Sequence, residues 1–491
     1  MHARLSRPGV LFAAFAVVAS ACGGSSAPSA SATASPAPSE AASASVAPSV
    51  AAGPATVGPN GPVQIRWFCC IGGGDAPEQT AVEKKVVDAF NNTHPNIHLT
   101  FEVVAYAGAN AALATEIGSG NGPDIVGPAG IGGANAFHGQ WLDLAPLIAA
   151  NNYDLTGFPQ DAVNIYKLDE GQLGIPFAIY PSELFYKKGL FDEAGLAEPP
   201  HKYGDKYTMP DGTVVDWNYD TIAQLAKILT VDKNGKDATQ AGFDPKKIVQ
   251  WGFEPQRDDL RGLGAYFGAG KLAADDGKTV QIPDAWAAAW KWWYDRIWTD
   301  HSSMTNAQFT SRDINPKDYP FFTGKIAMSE NFLWSTYGVK DAGNDWNMAA
   351  IPSYNGSTTA AFNADTFRIL KGSKHPNEAF QVLTYLLGDA SSQLLTTYGG
   401  FPARTAEQPA ALAALQAQFT QQIDWQVAID GIKYADNPNF ESYMPAYNET
   451  LGLVGSGGKY LTRWSSTPGL NMDTEIQALK TEMQGIWDKA T

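Results

Sequence analysis

Residues 63–69 read VQIRWFC, in which Val63, Ile65 and Trp67 alternate with polar neighbours, the period-two signature of a strand. Gly72-Gly73-Gly74 ends it, because residues without a Cβ atom let the backbone turn away. Asp75 then stands three residues before Glu78, with Pro77 between them and Val82, Val86 and Phe90 following at helical spacing; this predicts a capped helix start. Ile97, Leu99, Phe101 and Val103 alternate strictly, residues 109–117 suit a short helix, and Asp124-Ile125-Val126 predicts a brief buried strand before a glycine-rich loop reaching residue 133. Strand, helix, strand, helix, strand implies an α/β fold with a parallel sheet and right-handed crossovers. If the third strand lies beside the first, away from the second, the loops after Cys70 and Val126 face one another. That is a topological switch point, where open α/β sheets keep their ligands.

Further along, Trp286, Trp290, Trp293 and Ile297 recur at helical spacing and read as core. The segment DKNGKD at 232–237 looks like a calcium loop but lacks the full ligand spacing and the distal Glu, so Asn234-Gly235 is read as a hairpin turn. GPAGIGG at 127–133 neither follows the first strand of a βαβ unit nor has dinucleotide-binding spacing.

The first residues predict where the chain works. Arg4 and Arg7 precede an apolar run at 10–18, too short to cross a bilayer, which ends in Ala19, Ser20 and Ala21 before Cys22. Residues 1–21 are therefore expected to be a signal peptide, and Cys22 resembles the lipidated cysteine of bacterial lipoproteins; ordinary signal-peptidase cleavage is the alternative. Residues 22–58 are almost wholly Ala, Ser, Pro and Gly after the cysteine, a composition that cannot bury a core. Such a tether reaches roughly 30–35 Å. The expected location is extracytoplasmic, held at the membrane by a lipid alone.

The rest of the chain is long enough for two domains. A formal charge of −16 disfavours nucleic acid and anionic lipid as partners, and 14 Trp, 19 Tyr and 23 Phe make a heavy aromatic load. Cys69 and Cys70 are the cysteines left after Cys22. They read either as two free thiols on opposite faces of a strand or, since thiols outside the cytoplasm oxidise, as a vicinal disulfide forming an apolar step toward a cleft. Neither cysteine has His or Cys partners at zinc-like spacing, and no metal or cofactor is expected.

Seven segments in this order carry a family resemblance: FNNTHPNI at 90–97, GNGPDIV at 120–126, LGIPFAIYPSELFYKKGLFDEAGLAEPP at 173–200, FFTGKIAM at 321–328, AAIPSYNG at 349–356, SKHPNEAFQVLTYLL at 373–387 and GGFPAR at 399–404. Together they resemble the extracellular solute-binding proteins of carbohydrate ABC importers, the maltose-binding-protein-like group. Lys187 departs from the usual Asn after the tyrosine, and residues 201–217 replace a Thr-Trp turn. The resemblance implies a two-lobed periplasmic-binding-protein-like fold with the ligand cleft between the lobes. Its first lobe would be 62–178 plus 353–402 and its second 179–352 plus 403–491, with crossings near 178–181, 351–353 and after 404. It further implies a monomer without catalytic residues, which takes a small carbohydrate and hands it to the importer's permease.

A pyranose offers flat C–H faces to aromatic rings and hydroxyls to charged or amide groups. By position in the matching motifs, the implied ligand contacts are Trp334 and Tyr180; Trp251, Glu254, Gln256 and Arg257; and Asn363 with Asp365. From the first lobe would come Cys69, Cys70, Asp75 and the backbone from Gly127 to Ile131, with Tyr443 and Tyr447 near the C-terminus. Each has a plainer reading: Trp334 as core, Asp75 as a helix cap, Asp365 as a turn residue. Two other classes stand beside this one. A secreted carbohydrate-active enzyme would share the aromatic and acidic content, although no HExxH, GxSxG or locally paired carboxylates occur. A binding protein for a non-sugar solute is the second.

Overall fold

The computed structural model describes residues 61–490, except 169, 258, 317, 318, 337–342 and 344. The expected signal peptide, Cys22 and the tether lie outside the described residues.

Nine strands build the sheet that positions everything else: β1 (Val63–Cys69), β2 (Ile97–Val103), β3 (Ile125–Gly130), β4 (Ala178–Lys187), β5 (Ile248–Phe253), β6 (Ile326–Phe332), β7 (Trp346–Ala349), β8 (Phe362–Ile369) and β9 (Phe401–Pro402). A two-residue strand, Val231–Asp232, extends the far edge beside β5. The order is β2-β1-β3-β8-β4-β6-β5. The condition for a switch point is therefore met: β1 runs parallel to β2 from Val63↔Ile97 to Cys69↔Val103, and β3 lies on its other side through Trp67↔Ile125 and Phe68↔Val126. Helices on both faces explain why β1 is apolar at consecutive positions: Trp67 belongs to one core cluster and Phe68 to another.

β4 joins the two ends of the sheet. All ten of its residues, AIYPSELFYK, are buried. Its first four pair with β8, from Ala178↔Asp365 to Pro181↔Phe362, and β9 pairs with Ala178 and Ile179. Its remaining six pair with β6 and β7 instead, from Ser182↔Phe332 to Lys187↔Trp346. Pro181 falls at this change of partner, where a strand residue without an N–H is tolerated. Ser182 helps to close the junction by donating its hydroxyl to the carbonyl of Ala361 at 2.6 Å.

Helix Asp284–Trp298 packs as its periodicity predicts: Trp286, Trp290, Trp293 and Ile297 are all buried. The indole N–H groups of Trp286 and Trp290 donate to the carbonyls of Gly268 and Leu260. Asp232 organises the Asn234-Gly235 turn, its carboxylate accepting from the backbone N–H groups of Asn234, Lys236 and Asp244, while Gly235 takes a left-handed φ of 77°. Three backbone donors thus satisfy the Asp232 carboxylate and hold the turn. Among the described residues no helix is long and apolar enough to cross a membrane.

Two local expectations need correction. Helix Pro77–Thr93 is capped at Ala76, whose N–H is held by the Gln79 side chain, with Pro77 in the first turn. Asp75 lies outside it, exposed, accepting from the N–H of Tyr106 at 3.0 Å. The glycine-rich stretch after Val126 is ordered too: β3 continues to Gly130 and helix Ile131–Asn135 follows. Pairing with β8 imposes this, through Ala129↔Thr366 and Gly130↔Asp365, a partner that lies over 230 residues away in the chain.

Candidate functional site

The carboxyl ends of β1 and β3 meet as the switch-point reading requires. A Cβ on Gly72 would come within 2.7 Å of the Pro128 carbonyl oxygen, and one on Gly133 within 3.2 Å of the Ile71 oxygen, so glycine is what allows these loops to touch. Cys69 and Cys70 are joined by a disulfide. Both are fully buried, with Glu83 beside the Cys69 sulfur and the backbone of Gly73 and Gly74 packed over them, so the expected cleft-facing step is instead an internal brace. Burial, with the charge of Asp75 adding to it, pushes Glu83 up to about 7. The crevice beside it, walled by Gln79, Phe177, Leu394 and Tyr398, holds about 10 Å³, room for at most one water.

At the junction with β4 the side chains turn polar. The hydroxyl of Tyr398 lies 2.6 Å from Asp365 Oδ2 and 2.8 Å from the Gly72 carbonyl, linking β8 to the glycine turn. Tyr180, on β4, faces the same carboxylate and favours its charged form. Burial pushes Asp365 up to about 6 while the two phenols pull the other way. The ring of Tyr180 meets Trp334 edge-on at 5.2 Å, and Trp334 stacks on Phe332 at 4.3 Å. One aromatic shelf therefore runs from the shared strand to the end of β6, with an acid at its foot.

On the other side, β5 and β6 are parallel, paired through Trp251↔Ile326 and Phe253↔Met328, and β6 runs on to Phe332 after β5 has ended. Beyond β5, Glu254 and Arg257 are buried and form a two-point ion pair through guanidinium Nε and Nη2. The Met304 N–H also donates to Glu254, and the Ser329 hydroxyl holds the Glu254 carbonyl. Burial raises the Glu254 carboxyl and Arg257 opposes that. Gln256 and Arg257, with Ser329, Asn331, Phe309 and Phe321, line a cavity of about 250 Å³.

A loop that no strand or helix pattern marks closes the site. Asp436 accepts from the N–H groups of Phe362 and Phe440, and Asn439 donates to the Phe362 carbonyl, so residues 436–440 are fastened over the start of β8. This delivers Glu441 to helix Ile131–Asn135: Oε2 accepts from the Gly132 N–H at 3.1 Å, and the Asn135 amide donates to the Glu441 carbonyl. Burial pushes Glu441 up to about 7, against the pull of Arg261 and the Gly132 N–H. Arg261, which is itself paired with Asp259, lies over the ring of Tyr447 at 5.9 Å. Two residues on, Tyr443 stacks on His138 at 3.7 Å.

The structure thus brings together Tyr180, Trp334 and Asp365, and separately Glu254, Gln256 and Arg257, while Tyr443 reaches His138 rather than either group. Asn363 is half-buried in β8 opposite Tyr180. Other expected contacts are spent on the fold. The Gly127 carbonyl accepts from the Trp67 indole at 2.6 Å, and a Cβ on Gly127 would come within 2.7 Å of the Thr366 oxygen. Ile131 and Trp251 are core residues at 3% and 2% exposure. Glu441, Arg261, Tyr398 and Phe332 were not visible from the sequence as site residues, because only strand pairing and the 436–440 fastening bring them there. The nearest sequence signal was Tyr443 and Tyr447, two and six residues after Glu441.

The family description that matches is "Bacterial extracellular solute-binding protein", over residues 85–422. Among curated sequences, the chain is 22% identical over 334 residues to an uncharacterized lipoprotein encoded in the oleD 5' region of Streptomyces antibioticus, covering 67% of each. Among solved structures it is similar to the sugar-binding protein MalE of Xanthomonas citri, with a TM-score of 0.65 at 16% identity over 87% of this chain and 98% of that one. UspC of M. tuberculosis gives a TM-score of 0.63 at 19% identity, over 87% and 100%. The fold is therefore the α/β fold of the two-lobed periplasmic binding proteins.

Proposed function

The chain belongs to the bacterial extracellular solute-binding proteins, and from that premise we propose that it captures a mono- or oligosaccharide without altering it and delivers it to the permease of an ABC importer. The observation that carries this reading is the shelf of Tyr180, Trp334 and Phe332 above Asp365, set where the shared strand changes partners. Stacked rings with an adjacent acid suit a guest that has C–H faces and a rim of hydroxyls. The name of the Xanthomonas relative, a sugar-binding protein, supports the same guest.

In this reading residues 62–178 with 353–402 form one lobe, and 179–352 with 403–491 the other. The partner change at Pro181 supports a crossing there, and rotation about a few backbone positions closes such lobes on a guest. The chain works as a monomer, exported by residues 1–21 and held outside the membrane by lipid on Cys22. The Streptomyces relative's name, a lipoprotein, supports that anchor.

A thermal-shift screen over mono- and disaccharides tests the binding. A guest at a hundredfold excess over its dissociation constant stabilises by about 2.7 kcal/mol. Silence across the panel, confirmed by calorimetry, refutes the reading, and release of smaller sugars from an oligosaccharide would favour an enzyme instead. For the anchor, Cys22→Ser should move the protein from the membrane fraction to the medium.

A further inference from the structure

The cavity at the ends of β5 and β6 has an uneven polar wall. Arg257 is 4% exposed, and its guanidinium lies between the rings of Trp293 at 5.1 Å and Phe309 at 4.6 Å. Both Glu254 oxygens engage its Nε and Nη2, and Nη2 also donates to the Met304 carbonyl. Nη1 is buried without a hydrogen-bond partner. A guanidinium does not escape by losing its proton, so this donor is either wasted or reserved for a guest.

The chemistry of that guest follows from the charge count. Glu254 already neutralises Arg257, and among the described residues no cation other than Arg257 lines the cavity. A carboxylate or phosphate entering it would leave a buried net negative charge in a chain of formal charge −16, whereas a hydroxyl or ring oxygen would accept from Nη1 with no such cost. Size narrows the choice. About 250 Å³ lies just under the ~300 Å³ at which pockets for drug-sized ligands begin, which suits one ring. Phe309 and Phe321 supply flat apolar faces, and Ser329, Asn331 and Gln256 supply polar edges.

Resting on the solute-binding reading above, we propose that this cavity receives one neutral pyranose unit of the solute, an oxygen of which accepts from Arg257 Nη1, and that it discriminates against units bearing a carboxylate or phosphate. Titration calorimetry on the full chain with maltotriose, cellotriose and β-1,4-galactotriose, set against trigalacturonic acid, tests it. A neutral trisaccharide should bind at least tenfold more tightly than the anionic one. Arg257→Lys, which keeps the charge but loses the forked donor, should weaken that binding at least tenfold. Ser456→Trp, which adds bulk at the exposed rim, should do the same without lowering the melting temperature of the unliganded protein, and it decides the matter if Arg257→Lys does not fold. Neutral-sugar binding that Ser456→Trp leaves within twofold, while Trp334→Ala abolishes it, overturns the pocket and leaves the solute reading standing. Equal or tighter binding of trigalacturonic acid overturns the charge discrimination, and silence with every sugar overturns both readings.

Discussion

Glu330 gives the sharpest test of how this protein's interior handles acids. It lies on β6, 3% exposed, and accepts a hydrogen bond from the Tyr219 hydroxyl. Burial lifts its carboxyl to about 8, with the Tyr219 bond pulling the other way. An unfolded chain releases the same proton near 4.3. Between these values the native state holds a proton that the unfolded state has lost, so stability falls as pH rises, by up to about 1.4 kcal/mol per pH unit. The contribution is intact below about pH 4.3, and by pH 7 about 3 to 4 kcal/mol has gone. Glu330→Gln keeps an acceptor for Tyr219 but has nothing to ionise. Urea denaturation of parent and variant at pH 5, 6, 7 and 8 isolates the residue, because Glu83, Asp365 and Glu441 titrate in both. The variant should gain on the parent by about 2 to 3 kcal/mol between pH 5 and 7. A difference that stays constant to within about 0.5 kcal/mol over that range would refute a buried, proton-holding Glu330.

Other expectations follow from single contacts. Trp334→Ala removes a half-buried ring stacked on Phe332 and met edge-on by Tyr180, and should weaken sugar binding about tenfold or more by calorimetry, since such pairs contribute about 0.5–1.5 kcal/mol beyond area. Gly132→Ala sets a Cβ 2.6 Å from Glu441 Oε1 and 3.1 Å from the Tyr447 hydroxyl; thermal melts should show a loss of about 1–3 kcal/mol, and an unchanged melt would mean the 436–441 loop is not seated as described. Peptides spanning Cys69 and Cys70 should take up no iodoacetamide in denaturant and two equivalents after reduction. Two adducts before reduction would mean free thiols.

Much of this protein was written locally. Alternation at residues 63–69 and 97–103, the glycine run after Cys70 and the tryptophan spacing at 286–297 fixed strands, a turn and a core helix that the structure reproduces, because each depends on neighbours within a few positions. The side of β1 on which β3 lies was left open by local pattern, and the pairing of the folded sheet set it. What the sequence read as a glycine loop at 127–133 became strand and helix, because β8, far along the chain, pairs with it. The same distant pairing consumed Gly127 and drew Tyr398 to Asp365. Asp75, a cap on local spacing, was taken by the next helix instead.

Composition and motif order therefore determined the class of fold and the family, since burying apolar faces at a given period leaves few architectures. The tertiary structure alone decided which acids are buried, which donors are left over and which rings meet. Those properties belong to pairs of residues from β4, β6, β8 and the 436–441 loop, and a pair separated by hundreds of residues leaves no periodic trace in either segment. Glu441 at Gly132 and the free edge of Arg257 are of that kind, and they exist only once Pro181 has handed the shared strand from one set of partners to the other.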